Sequence, residues 1–266
     1  MIIALSGSSC CGKNTIIKEL IKQNNNLEYI KTFSSREMRP GESQGNPYYF
    51  ISKQQFQEKI KNGDFLEHEL IHNNFYGVDK QICIEELNKN KSLIKDMGVV
   101  GTFNLKEKLS NYLVETIFLF VSKHELKKRL KKRGDSASQI KLRLKRYKFE
   151  KKNSIKYNYI INNNNIDSTL KIMNKILQNN KNSQEYIKFS KDKINYKKVE
   201  KYKNQLINNK TFKPIKLYFN GEDFYLNKDI EKYLAGLELN KTIAKVIIIK
   251  NKSKKLYPNT FIKSAN

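Results

Sequence analysis

The apolar residues of this chain come in two rhythms that alternate from the N-terminus onward. Met1–Leu5 is an unbroken apolar run of strand length, and Ile16, Ile17, Leu20 and Ile21 follow at the spacing of one helical face. Leu27–Thr32 predicts a second strand, Lys53–Lys61 a helix, and Phe65–Ile71 with Asn74–Val78 the strands of a small antiparallel insertion. A helix near Lys80–Asn88 leads back to strands at Ser92–Lys95 and Glu115–Val121. Leu126–Lys132 and the stretch after Ser136 read as helices, Tyr159–Asn162 as a strand and Ile166–Leu177 as a helix. This alternation predicts an α/β fold, a doubly wound parallel sheet covered on both faces. The polar stretch Gln178–Gln184 breaks the pattern. Beyond it, helices at Val199–Ile207 and Asp229–Gly236 and strands at Pro214–Phe219, Phe224–Leu226 and Ile243–Ile249 predict a smaller α+β unit. Its Lys-rich end, from Lys250, is expected to fray.

Composition narrows the class. The 266 residues suffice for one large or two modest domains. No stretch approaches the roughly 20 apolar residues of a membrane span, and the N-terminal apolar run is too short for a signal segment. Three cysteines, two of them adjacent, make no disulfide framework and suit a reducing cytoplasm. The net charge is +26, from 52 Lys+Arg against 26 Asp+Glu, which favours anionic ligands or nucleic acid. Lys, Asn and Ile are abundant throughout, however, so much of this charge reads as a coding bias over solvated faces.

The most informative stretch joins the first strand to the first helix: Ser6-Gly7-Ser8-Ser9-Cys10-Cys11-Gly12-Lys13-Asn14-Thr15. Two glycines bracketing a loop between strand and helix let backbone N–H groups fold around an anion at the positive end of the helix. The spacing G-x-x-x-x-G-K is that of a phosphate loop, and Lys13 would reach the β- and γ-phosphates of a nucleotide. A hydroxyl arrives one place later than that motif has it, at Thr15.

The order of motifs after this loop resembles the guanylate kinase family over about residues 1–179. Ser34-Ser35-Arg36-Glu37-Met38-Arg39-Pro40-Gly41-Glu42, Gly45-Asn46-Pro47-Tyr48-Tyr49-Phe50 and Tyr76-Gly77 are similar to the family's acceptor segments. A nucleotide phosphate must be held by planar, bidentate cations and phenol donors, and Arg36, Arg39, Tyr48 and Tyr76 have that chemistry. The resemblance implies that these four, with Thr32 or Ser35, bind the acceptor phosphate. It places Glu67 at the guanine edge, where a carboxylate accepts from N1–H and the amino group, and Asp96 nearby. Lys132-Arg133-Gly134-Asp135-Ser136 through Ile140–Leu144 resembles the family's lid, which makes Arg133 and Arg143, with Arg146 behind them, candidates to close over the donor phosphates. Tyr159-Ile160-Ile161-Asn162 is similar to the family's segment beside the adenine, with Asn162 as the contact. The resemblance thus implies Mg²⁺-dependent transfer from ATP to a nucleoside monophosphate, GMP first. Gly7, Ser8, Ser9, Cys10, Cys11, Gly12, Lys13, Asn14 and Thr15 then hold ATP, and Thr15 seats the metal.

Four positions depart from the family pattern. Cys10 adds a Cβ where the family has glycine, Asn14 replaces a small residue, Val78 lacks a base-contacting hydroxyl and Ile94 replaces an acid. They keep a second class open, a catalytically weak interaction module. The C-terminal segment resembles a ParB/sulfiredoxin-type domain over about residues 194–250, through Phe212–Tyr218, the Gly221 turn, Tyr225–Gly236 and Thr242–Val246. That family's D-G-x-H-R signature reads Lys228-Asp229-Ile230-Glu231-Lys232, which implies a binding scaffold rather than a second active site. The expected organisation is therefore a kinase-like domain at 1–179, with an insertion over about 33–90 and a lid over about 133–152. A linker at 180–193 and a basic appendage at 194–266 follow, and nucleic acid is the third candidate partner through that appendage.

Overall fold

A short unbroken run of apolar residues suits a strand covered on both faces. The structure, a computed structural model, buries Ile2, Ile3, Ala4 and Leu5 completely. It describes residues 1–46, 48–71, 73–179, 187–188, 194–208, 215–219, 224–226, 229–239 and 246–250. Contacts divide the chain into two units, Met1–Ser6 with Lys13–Thr116, and Gly7–Gly12 with Ile117–Asn266.

The first unit holds β1 (Ile2–Gly7, to Ser6), α1 (Lys13–Gln23), β2 (Leu27–Tyr29), β3 (Thr32–Ser34), β4 (Tyr48–Phe50), α2 (Lys53–Lys61), β5 (Phe65–Ile71), β6 (Asn74–Asp79), α3 (Lys80–Asn88), β7 (Ser92–Asp96) and α4 (Val99–Lys108). β1 and β2 both pair in parallel with β7. Their apolar core gathers Ile2, Ala4, Ile30, Leu66, Val78, Cys83, Leu93, Met97 and Leu105. A second, four-stranded sheet runs β4-β3-β6-β5, with β3–β4 parallel and the other two pairs antiparallel.

The register of that small sheet sorts its two faces, because aligned residues of paired strands share a side. Thr32 is level with Tyr48, Ser34 with Tyr76, and Glu69 with Tyr76, so these side chains share one face. Phe33 and Tyr49 occupy the other, their rings 5.1 Å apart. There Phe56 of α2 stacks on Phe65 and Phe75 at 4.4 and 5.3 Å. α2 starts on a Ser52/Gln55 capping box.

β8 (Val114–Phe120) carries the chain into the second unit, which continues with α5 (Lys123–Lys132), α6 (Ala137–Ser154), β9 (Tyr159–Asn162), α7 (Ile166–Asn179), β10 (Ile187–Lys188), α8 (Tyr196–Ile207), β11 (Ile215–Phe219), β12 (Phe224–Leu226), α9 (Ile230–Glu238) and β13 (Val246–Lys250). β8, β9, β13 and β11 run parallel in that order, then β12 antiparallel and β10 parallel to β12. Both α5 and α6 are capped by serine, α5 by Ser122 and α6 by Ser136 with Gln139. α8 and α9 meet around Val199, Leu206 and Ala235.

Three elements differ from the sequence-based expectation. The strand expected over Leu27–Thr32 is two strands in two sheets. Ile30 turns into the core cluster and hydrogen-bonds Ile94 O, and Thr32 begins β3. The helix α4 was not expected, because Gly98, Val99, Val100, Gly101 and Thr102 are poor helix formers; burial of Val99, Thr102 and Leu105 overrides propensity. The two-residue β10 lies in a stretch read as linker. Most of that linker (180–186 and 189–193), Phe212–Pro214, the Gly221 turn, Lys228, Thr242–Lys245 and the tail after Lys250 lie outside the described residues.

Candidate active site

In the second unit the loop Gly7–Gly12 closes on itself, with Cys11 N donating to Ser8 O at 3.0 Å. Gly7 takes φ +147°, and a Cβ there would meet Cys11 Sγ and Leu119 O at 2.6 Å, so only glycine fits. Gly12, at φ +99°, would press on Asn163 Nδ2. Cys10 sits in the left-handed region at φ +64°, which shows why glycine suits this place. The loop forms despite that strain.

Each face of the loop has a partner. Ser8 Oγ donates to Glu150 Oε2 at 2.6 Å, and Ser9 Oγ accepts from Arg143 Nη1 at 2.6 Å. Asn163 Nδ2 donates to Cys11 O at 2.7 Å, while Arg129 Nη2 donates to Asn163 O at 3.0 Å. Arg133 forks onto Asp135 at 2.7 and 2.6 Å and also lies beside the Cys10 thiol. Arg143 Nε stands 2.8 Å from the same carboxylate, an ion pair outside hydrogen-bond geometry. Arg146 pairs with Glu150 at 3.4 Å. The paired arginines hold the Asp135 carboxyl below the usual range. The sequence named Arg133 and Arg143 but missed Glu150 and Asn163, the latter passed over in an asparagine run that looked compositional. Asn162 leaves a buried Oδ1 without a hydrogen-bond partner among the described residues.

Lys13 opens α1 in the first unit, with Asn14 and Thr15 exposed in its first turn. The acceptor candidates of that unit fall into two groups. In the first, the Arg36 guanidinium forks onto Glu42 at 2.7 and 2.5 Å and lies over the rings of Tyr48 and Phe50, 5.3 and 5.1 Å away. That fork holds the Glu42 carboxyl down at about 2. Tyr48 and Tyr76 meet edge to face at 5.6 Å. Arg39 is exposed, its backbone N–H spent on Glu42 at 2.9 Å. Ser35 Oγ accepts from Phe75 N at 2.8 Å, so this hydroxyl helps hold β6.

The second group is largely buried, Lys95 and Thr32 most deeply. Tyr29 O–H donates to Asp96 Oδ1 at 2.5 Å, and Lys95 Nζ donates to Tyr29 OH at 3.0 Å and to Thr32 Oγ1. Glu67 lies against the first turn of α4, its Oε2 filling the space where a Cβ on Gly101 would stand. Burial, with Glu69 adding, pushes the Glu67 carboxyl up to about 7, and Lys95 opposes the shift. Val78 is 1% exposed among Leu66, Cys83 and Met97, as its apolar chemistry requires. Tyr29, Lys95 and Gly101 escaped the sequence reading. A lone lysine inside the strand Ser92–Asp96 was the available signal.

No helix is long and apolar enough to cross a membrane among the described residues. The guanylate kinase family model matches residues 1–180. The guanylate kinase of Clostridium tetani is 36% identical over 181 residues, covering 66% of this chain and 85% of that protein. That of Clostridioides difficile is 33% identical over 211 residues, covering 78% and 94%. The crystal structure of guanylate kinase from Anaplasma phagocytophilum superposes with a TM-score of 0.54 at 26% identity, over 69% of this chain and 87% of that one. The family model over residues 1–180 and these relatives agree, and the chain belongs to the guanylate kinase family.

Proposed function

We propose that this chain is an ATP-dependent nucleoside monophosphate kinase that transfers the γ-phosphoryl group of ATP to GMP, giving ADP and GDP. The observation that carries the reading is the polar face of the small sheet. There Thr32, Tyr48 and Tyr76 stand together with the Arg36–Glu42 fork alongside. Arg36, Arg39, Tyr48, Tyr76, Thr32 and Ser35 hold the acceptor phosphate. Glu67 and Asp96, acceptors when ionised, read the N1–H and amino group of guanine.

Gly7–Thr15 cradles the donor phosphates, and Lys13 neutralises charge on them. Arg133 and Arg143 turn from Asp135 and Ser9 onto the transferring group, and the free Oδ1 of Asn162 suits the adenine amino group. The attacking oxygen belongs to a phosphate that is already an anion. No general base is needed, and rate comes from orientation and from neutralising charge on the γ-oxygens.

Mg²⁺ fits this donor set. It keeps several waters and takes phosphate oxygens, so one protein hydroxyl suffices, and Thr15 offers it from the exposed first turn of α1. When bound it screens the β- and γ-phosphates. Among the described residues no group of three or more His, Cys, Asp or Glu side chains forms a metal site alone. We place the protein in the cytoplasm, with residues 1–179 as the kinase domain, 180–193 as linker and 194–266 as a ParB-like appendage open to nucleic acid. Lys13→Ala should remove about 3–4 kcal/mol of transition-state stabilisation, a loss of several hundredfold or more in GDP formation, with the melting temperature unchanged. Unchanged turnover would remove the phosphate-loop assignment.

A further inference from the structure

Lys95 is 7% exposed, between Ile94 and Asp96 at the C-terminal end of β7, and is not among the residues that the functional reading assigns to substrates. A buried ammonium must be paired. Its partners are hydroxyls: Nζ donates to Thr32 Oγ1 and to Tyr29 OH, and lies 4.5 Å from the Tyr29 ring centre. The groups facing it are the carboxylates of Asp96, Glu67 and Glu69 and the thiol of Cys83.

An ammonium has three donors and no acceptor, whereas a hydroxyl has one donor and two acceptor sites. Lys95 therefore fixes the direction of both hydroxyls it touches. The Tyr29 proton goes to Asp96, as the 2.5 Å contact shows. The Thr32 proton cannot point at Lys95, and no acceptor for it is found among the described residues. Thr32 is level with Tyr48 in β3–β4, so it faces the same side as the aromatic acceptor face.

We propose that Lys95 is a positioning residue for the acceptor nucleotide: by donating to Thr32 and Tyr29 it aims the Thr32 hydroxyl at the acceptor's phosphate and the Tyr29 hydroxyl at Asp96. The proposal rests on the GMP kinase reading above. It links the phosphate end and the base end of the acceptor through one buried cation. Losing Lys95 misdirects a donor without removing any group that touches the nucleotide.

The test is steady-state kinetics of the full chain carrying Lys95→Met, Lys95→Gln, Thr32→Val and the Lys95→Met/Thr32→Val pair. Lys95→Met and Thr32→Val should each raise the KM for GMP about tenfold, the scale of one hydrogen bond to a charged group. The KM for ATP should move less than twofold. The double variant should be no worse than the worse single, because Lys95 acts through Thr32. Lys95→Gln keeps a donor and should lie closer to wild type than Lys95→Met, which a mere filler of the site would not do. If the two losses multiply, if Met and Gln behave alike, or if Lys95→Met leaves the GMP KM unchanged, the proposal is overturned. Should the unaltered protein not turn over GMP at all, the kinase reading fails instead. Should Lys95→Met not fold, the Gln variant in wild-type and Thr32→Val backgrounds decides: a GMP KM rise clearly larger where Thr32 is present supports the proposal, and an equal or larger rise where it is absent overturns it.

Discussion

In the proposed reading Glu67 is the carboxylate that meets the base, and its environment gives it a pH signature. Its carboxyl stands at about 7 in the folded chain against an ordinary 4.5, chiefly because it is buried. Only the ionised form accepts twice from guanine. kcat/KM for GMP should therefore fall as pH drops below about 7, with the KM for ATP little changed, and Glu67→Gln should flatten that limb while lowering its plateau. Stability runs the other way. A carboxyl whose folded pKa is raised contributes stability that is fully present below about 4.5 and lost as pH rises through about 7. The nucleotide-free protein should melt higher at pH 6 than at pH 8, and Glu67→Gln should shrink that difference. Glu115, buried in β8 and also pushed up to about 7, keeps the remainder. A GMP limb that Glu67→Gln does not alter would remove Glu67 from the base site. The sequence proposed this carboxylate from its place in Phe65-Leu66-Glu67-His68. The lysine that opposes its shift was not legible there, since a lysine in a strand reads as solvated until its burial is known.

At the scale of elements, the proposed acceptor side rests on α4 and the Arg36–Glu42 loop. α4 begins Val-Val-Gly-Thr after Gly98, and Gly101 is the place where Glu67 Oε2 lies 1.9 Å from an added Cβ. Alanine normally favours a helix over glycine by about 1 kcal/mol, yet here it must push Glu67 aside. Gly101→Ala should lower kcat/KM for GMP at least tenfold and spare the KM for ATP; equal kinetics in both proteins would show that Glu67 has room to move. The two arginines should behave differently, though the sequence treats them alike. Arg36 is stacked and forked onto Glu42, so Arg36→Met strips the loop of its anchor and lowers the melting temperature as well as GMP affinity. Arg39 is exposed, and Arg39→Met should raise the GMP KM with no change in melting. Strand–helix alternation was legible here because it follows from apolar spacing. α4 and the break between β2 and β3 were not, because each is set by where a neighbouring sheet ends rather than by local propensity.

For the whole molecule, the family and the α/β order of strands and helices over residues 1–179 were legible without any structure. Both rest on short motifs and local spacing. What joins them was hidden: Glu150 on Ser8, Asn163 on Cys11 and Lys95 between Tyr29 and Thr32 are pairings across about 60 to 150 residues. The four departures from the family pattern fall unevenly. Cys10 keeps the loop's turn in a left-handed conformation, and Val78 is absorbed by the core. Glu67, Asp96 and the arginine–tyrosine face remain in place, which favours an enzyme over an inert module. The most direct test is ADP release by the full chain with ATP, Mg²⁺ and, in turn, GMP, dGMP, AMP, CMP and UMP. The account predicts that kcat/KM for GMP exceeds that for AMP, CMP and UMP by at least tenfold, with dGMP next, since discrimination by a buried polar contact is at least that large. ADP release at background with every acceptor, or a preference for AMP, CMP or UMP, would contradict it.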